Sequence, residues 1–170
     1  MAETPSKMAA LGTKAQEFEL PEPLTGEKKS LTELKSDVCT VIMFICNHCP
    51  FVKHINPVLP GFADDYIKKG VSFIAVNSND IKHYPQDSPE KMVETAKETG
   101  YPFPYLFDES QEVAKAYQAA CTPDFFVYDK DLKLVYRGQF DDSRPSNNKP
   151  LTGKDLASAL DALLKGEPVP

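Results

Sequence analysis

No stretch of this 170-residue chain approaches the ~18–20 consecutive apolar residues that a membrane-spanning helix requires, and residues 1–18, MAETPSKMAALGTKAQEF, hold no apolar core of signal-peptide length. Neither a membrane partner nor an export signal is expected, and the chain reads as cytoplasmic. Basic residues are in deficit: 19 Lys and Arg against 25 Asp and Glu leave a formal net charge of -6. Nucleic acid is thereby excluded as a partner, because binding it takes a basic surface that neutralises phosphates. Cysteine is scarce as well. Cys39, Cys46, Cys49 and Cys121 are too few for a disulfide framework to hold a chain of this size together. A tight second pair of metal ligands is also missing. A structural zinc site takes four ligands, yet Cys39 lies on a strand, Cys121 is alone, and His48, His54 and His83 form no closely spaced pair, so no metal and no cofactor is expected. Internal repeats and low-complexity tracts are absent.

What is present fits one globular α/β domain over residues 1–170 with a flexible N-terminus over 1–13: the apolar share is 41% and the charged share 26%. Residues 14–34 alternate apolar and polar around Phe18 and Leu20, break at Pro21, Pro23 and Gly26, and resume at Ser30, which predicts a short hairpin and one helical turn. VCTVIMFI (38–45) and VSFIAVNSN (71–79) are continuous apolar, β-branched runs, the pattern of strands buried on both faces. Between them a helix from Pro50 to Gly70 is interrupted by Pro57 and Pro60, which predicts a kink or a break.

A polar insert, DIKHYPQDSPEK, opens a helix over 88–100 with Ser88 as N-cap, Pro89 in the first turn and Gly100 at the exit. A short strand (103–108), a helix (109–119), two strands joined by a turn at 129–131 and an amphipathic helix (152–166) follow. Parallel units first and an antiparallel hairpin last imply a mixed central sheet flanked by helices.

FICNHCPFVKH (44–54) carries the chemistry. The buried strand ends near Phe44 and a helix starts near Pro50, so Cys46 and Cys49 fall at the junction, where helix N–H groups favour a thiolate. In Cys-x-x-Cys pairs the first thiol can drop from ~8.5 to between ~3.5 and ~7.5. Cys46 is the expected nucleophile, Cys49 the residue that resolves a mixed disulfide, and His48 adds a titratable positive charge. CTPDFFVYD (121–129) places a Thr122–Pro123 step directly before a strand. A trans proline at the strand's first residue fits this sequence, and so does a cis peptide that brings Thr122 beside another loop. Cys121 reads either as a third thiol or as a small buried filler, and Asp124 either as a proton acceptor for Cys49 or as a capping residue. Cys39 reads as packing, and the charges of RGQFDDSRP (137–145) as surface pairing.

Taken together, FICNHCPFVKHINP, AVNSNDIKHYPQDSPEKM, CTPDFFVYDKDLKLVYRG and GQFDDSRPSN resemble the peroxiredoxin-like (AhpC/TSA, redoxin) branch of the thioredoxin superfamily over nearly the whole chain. The resemblance implies a thioredoxin-like fold in which 14–34 is the added N-terminal hairpin and 80–100 the redoxin-type insertion. It also implies that Pro123 is a cis proline opposite the cysteine pair, with the Thr122 backbone placed to pair with a substrate strand, and that Cys46 and Cys49 are the attacking and resolving thiols.

The sequence departs from the peroxidase pattern Pro-x-x-x-Thr/Ser-x-x-Cys. Counting back from Cys49 meets Cys46 and Ile42, and from Cys46 meets Met43 and Cys39, so the hydroxyl that would position peroxide is missing. The expected activity is a thiol-disulfide oxidoreductase using a redox-active disulfide. It would work with a disulfide or thiol substrate and an electron donor, as a monomer or weak homodimer. The alternatives are an antioxidant thiol peroxidase and a non-catalytic redox-sensing binding protein.

Overall fold

The computed structural model describes residues 10–119 and 122–169, and residues 1–9, which include most of the N-terminal segment expected to be flexible, lie outside the described residues. A hairpin opens the fold: β1 (Glu19–Glu22) and β2 (Glu27–Ser30) pair antiparallel as a separate two-stranded sheet. The single helical turn α1 (Leu31–Leu34) starts at Ser30, whose side chain accepts from Glu33 N while Glu33 reaches back to Ser30 N, a reciprocal capping box.

Five strands form the central sheet: β3 (Cys39–Phe44), β4 (Val71–Asn77), β5 (Tyr105–Phe107), β6 (Asp124–Tyr128) and β7 (Leu134–Gly138), in the order β5-β4-β3-β6-β7. β3, β4 and β5 are parallel, whereas β6 and β7 run antiparallel to the strand beside them. This is the mixed sheet flanked by helices, with an N-terminal hairpin, that the order of apolar runs predicts.

β3 is the central strand, and all six of its residues are buried. Its alternate side chains feed two cores. Cys39, Val41 and Met43 face the layer of α2 (Pro50–Ile55), α3 (Leu59–Ile67), α4 (Pro89–Thr99) and α6 (Lys154–Lys165), while Ile42 and Phe44 face Phe18, Leu20 and Leu31 of the hairpin layer and Tyr117, next to α5 (Glu112–Ala116). A period of two with both faces covered is why the run reads as uninterrupted apolar sequence.

Proline and glycine punctuate the helices as their backbone limits demand. The predicted 50–70 helix breaks around Pro57 into α2 and α3, and Pro60 sits in the first turn of α3, where a missing N–H costs nothing. Ser88 caps α4, and Gly100 closes it in the left-handed conformation at φ 74°. The helix predicted over 109–119 is shorter, Glu112–Ala116, because Asp108 and Ser110 bond to the backbone of its entry: Ala114 N donates to Asp108 Oδ2 (3.0 Å) and Glu112 N to Ser110 Oγ (3.3 Å).

The charged segment 137–145 corrects its sequence reading. Arg137 and Asp141 are interior, not surface, residues. Arg137 pairs with Asp124 at 2.8 Å with both side chains buried, and Asp141 Oδ2 accepts from Thr152 N and Gly153 N (2.8 Å each) at the start of α6. Asp142 keeps exposed partners, Lys149 and Lys154, and Arg144 donates to exposed Gln139 Oε1 (2.6 Å).

At the entry of α6, Gly153 holds φ +72°, and a Cβ there would come within 2.7 Å of Phe140 and 2.8 Å of Phe62. Gly153→Ala is expected to destabilise the fold by about 2–4 kcal/mol, the sum of a left-handed L-residue and an overpacked aromatic contact. Urea denaturation checks this, with a lowered midpoint and an unchanged slope as the expected result.

Candidate active site

β3 delivers its C-terminal end to the cysteine loop. Ile45 N still donates to Val76 O (3.0 Å), and the chain then turns through 46–49 into α2, with Cys49 at the N-cap position and Pro50 in the first turn. Cys46 and Cys49 are both buried and both free thiols. The Thr122–Pro123 peptide is cis, and Thr122 lies against both sulfurs: its Oγ1 is 3.8 Å from Cys46 Sγ and its carbonyl oxygen 3.5 Å from Cys49 Sγ. Four residues picked out in the sequence, Cys46, Cys49, Thr122 and Pro123, therefore converge from two loops that are 76 positions apart. Cys121 lies outside the described residues.

One residue central to the site has no sequence signal pointing to it. Asp87, in the 3-10 turn Pro85–Asp87 of the polar insert, is fully buried beside the cysteine loop. Its Oδ1 accepts from Asn47 N (2.7 Å) and its Oδ2 from Asn79 Nδ2 (2.8 Å), while His48 Nδ1 stands 2.5 Å from Oδ2. Asn47 completes the stitching. Its Nδ2 donates to Gln86 O (2.8 Å), its Oδ1 accepts from Tyr105 Oη (2.9 Å), and the His48 ring stacks on Tyr84 at 4.8 Å. The insert is thus laced to the two residues between the cysteines. Asp124, the carboxylate singled out in the sequence, starts β6 opposite Phe44 and is engaged by Arg137. His54 bonds Ser143 Oγ (2.7 Å), and His83, for which the sequence suggests no partner, pairs with Asp80 (2.6 Å) on the surface.

The AhpC/TSA family model matches residues 11–137, well over half of the chain. The chain belongs to the AhpC/TSA family. A crystal structure of an uncharacterized conserved protein from Geobacillus kaustophilus is 60% identical, covering 100% of this chain and 90% of that one with a TM-score of 0.97. A hypothetical protein from Sinorhizobium meliloti 1021 is 49% identical, covering 97% and 90%, with a TM-score of 0.94. The thioredoxin domain of a thiol-disulfide oxidoreductase from Bacteroides vulgatus shares the fold at 17% identity, covering 78% and 90%, with a TM-score of 0.65. Among curated proteins nothing matches the chain.

In this AhpC/TSA-family chain the electrostatics of the pair depart from the sequence expectation. The sequence makes Cys46 the ionised sulfur, held at the positive end of the helix that starts near Pro50. The helix that follows is only six residues long, and it is Cys49 that occupies its N-cap. Cys49 is lowered to about 5, first by the hydrogen bond from the Cys46 sulfhydryl, then by the Thr122 hydroxyl and the backbone N–H groups of Val52 and Phe51, against an opposing cost of burial. Cys46 is raised, by that same shared bond, by burial and by the Asp87 charge.

Setting the shared bond aside, the remaining contacts still favour the anion on Cys49, since Asp87 acts on Cys46 and the helix N–H groups on Cys49. Cys39, on the strand before the site, is pushed up to about 12 by burial, which suits a packing role. Met43, three positions before Cys46 where the peroxidase pattern has a hydroxyl, is sealed in the core.

A lowered thiol is anionic above its folded value and protonates as pH falls through it. Titration of thiolate ultraviolet absorbance in the reduced, chelator-treated protein is therefore expected to show one thiolate persisting down to about pH 5. Cys49→Ser removes that low-pH step. Cys46→Ser shifts it upward, because the donor that stabilises the anion is gone.

Proposed function

We propose that the protein is a thiol-disulfide oxidoreductase in which Cys46 and Cys49 cycle between a dithiol and a disulfide. The observation that carries this reading is the convergence of both sulfurs on the cis Thr122–Pro123 segment, with Thr122 Oγ1 3.8 Å from Cys46 Sγ and the Thr122 carbonyl oxygen 3.5 Å from Cys49 Sγ. When Cys49 holds the negative charge, Cys46 S–H donates to it. When the proton moves across, Cys49 S–H donates to the Thr122 carbonyl, and Cys46 is left as a thiolate beside the Cys49 N–H and the Thr122 hydroxyl.

The Cys46 thiolate attacks one sulfur of a substrate disulfide. The substrate S–S bond breaks, a mixed disulfide forms, and the departing thiolate takes a proton from water. Cys49, once deprotonated, attacks Cys46 Sγ, closes the intramolecular disulfide and releases the second substrate thiol. A dithiol donor returns two electrons and one proton to the pair, and its second proton passes to solvent. Cys46 is 1% and Cys49 2% exposed, so the loop over the sulfurs must open for each exchange.

The partners in this reading are a protein or small-molecule disulfide and a thiol electron donor, met in a reducing, cytoplasmic setting by a monomer or weak homodimer. Among the described residues no helix is long and apolar enough to cross a membrane, and the net charge of -6 does not favour nucleic acid. Peroxidase action is disfavoured by the buried Met43 at the position of the peroxide-orienting hydroxyl.

Reduction of insulin disulfides by the dithiol-fed protein is the test. Turnover is expected to fall to the uncatalysed rate in Cys46→Ser, whereas Cys49→Ser traps a mixed disulfide visible by intact-mass measurement. Peroxide consumption that survives in Cys49→Ser, without insulin reduction, overturns this assignment in favour of a thiol peroxidase. Neither reaction occurring, with the pair still oxidising reversibly, overturns it in favour of a redox sensor.

A further inference from the structure

A second chemistry converges on the same loop. Cys46 Sγ, a ring nitrogen of His48 and a carboxylate oxygen of Asp87 all lie within 4.8 Å of one another. The donor set is one thiolate-forming sulfur, one imidazole and one carboxylate, the mixture that a borderline-soft divalent ion such as zinc accepts. Counting ligands along the sequence misses this grouping, because Asp87 comes from the insert, 41 positions beyond Cys46 (87 − 46), and only the fold brings it there.

Three features distinguish this cluster from an ordinary ion pair. Asp87 is completely buried, and its two oxygens are aimed by Asn47 N and Asn79 Nδ2, as outer partners orient a ligating carboxylate. The His48 ring is held by stacking on Tyr84. His48 Nδ1, itself buried, comes within 2.5 Å of Asp87 Oδ2 and yet has no hydrogen bond aligned to any partner, so two basic atoms face each other across a gap that calls for a positive charge.

Tetrahedral zinc with bonds of about 2.0–2.3 Å sets its ligand atoms about 3.3–3.6 Å apart. His48 must swing outward by about 1 Å and Cys46 inward by no more than about that, a range open to the partly exposed His48 side chain.

We propose that the reduced protein binds one zinc-class divalent ion through Cys46, His48 and Asp87, leaving a fourth position for water or for the Cys49 sulfur. Binding does not depend on the exchange activity proposed above. Only one consequence borrows that reading: a disulfide oxidant that joins Cys46 to Cys49 converts the sulfur ligand into a bridged, weakly ligating one and ejects the metal. In that step the metal-bound Cys46 thiolate, the Cys49 thiol, one disulfide and one proton become the intramolecular disulfide, two thiols and the free ion.

Cobalt(II) titrated into the full-length, reduced, chelator-stripped protein tests the site. One equivalent is expected to give thiolate-to-cobalt charge-transfer absorption that zinc displaces. Cys46→Ser should abolish that absorption, and His48→Ala and Asp87→Asn should each weaken binding by about tenfold or more. Cys39→Ala, in the core away from the site, should leave it unchanged. Since Asp87 also holds Asn47 and Asn79, circular dichroism accompanies that variant, and His48→Ala, at a partly exposed position, carries the test if Asp87→Asn fails to fold. Absence of the absorption, its survival in Cys46→Ser, or indifference to His48→Ala overturns the proposal. Retention of bound metal after the Cys46–Cys49 disulfide has formed overturns the coupling of release to oxidation. Failure of insulin reduction with metal binding intact refutes the exchange reading alone.

Discussion

A buried carboxylate sets the geometry of the cysteine loop. Asp87 is removed from water, and a buried anion is tolerated only when hydrogen bonds and a positive partner replace its hydration. Hydrogen bonds from Asn47 N in the cysteine loop and from the Asn79 amide just beyond β4 supply that replacement, with the His48 ring close beside the carboxylate. The bond from Asn47 N and the approach of the His48 ring also fix the two residues that lie between Cys46 and Cys49. The insert is therefore part of the site's framework, and its charge acts directly on the sulfur it supports.

The same logic recurs at the neighbouring strand ends. Arg137 and Asp124 pair inside the protein where β6 and β7 meet the cis Thr122–Pro123 segment, and Arg137 also donates to Gln118 O (2.6 Å). Asp141 satisfies the first N–H groups before α6 and also accepts from Ser143 N. Buried, paired charges thus hold the loops at this edge of the sheet, where removing one partner would strand the other. Apolar packing along β3 supplies the bulk of the burial, and these polar locks select one arrangement of the loops above it.

Between the sulfurs, chemistry follows from which donors happen to lie near which atom. A six-residue helix offers a few local N–H groups in place of a long, aligned dipole, and those groups reach Cys49. Asp87 reaches Cys46. These surroundings lower the Cys49 thiol and raise the Cys46 thiol.

Local sequence was sufficient for whatever depends on a residue and its near neighbours. The uninterrupted run at 38–45 specified a doubly buried strand because alternate side chains both needed apolar cover. Pro57 required the helix break, and Ser88, Pro89 and Gly100 bounded α4 because N-caps, first turns and left-handed exits are properties of single residues. The Cys46–Cys49 spacing and the Thr122–Pro123 step likewise marked two loops that the fold brings together. What no window of sequence contained was the company these residues keep. That Asp87 is buried against His48, that Arg137 and Asp141 turn inward, and that Cys49 rather than Cys46 sits where the helix N–H groups point were decided only when the chain closed. Electrostatic energy depends on distance and on the water excluded between charges, and both are set by the packing of segments far apart in the chain.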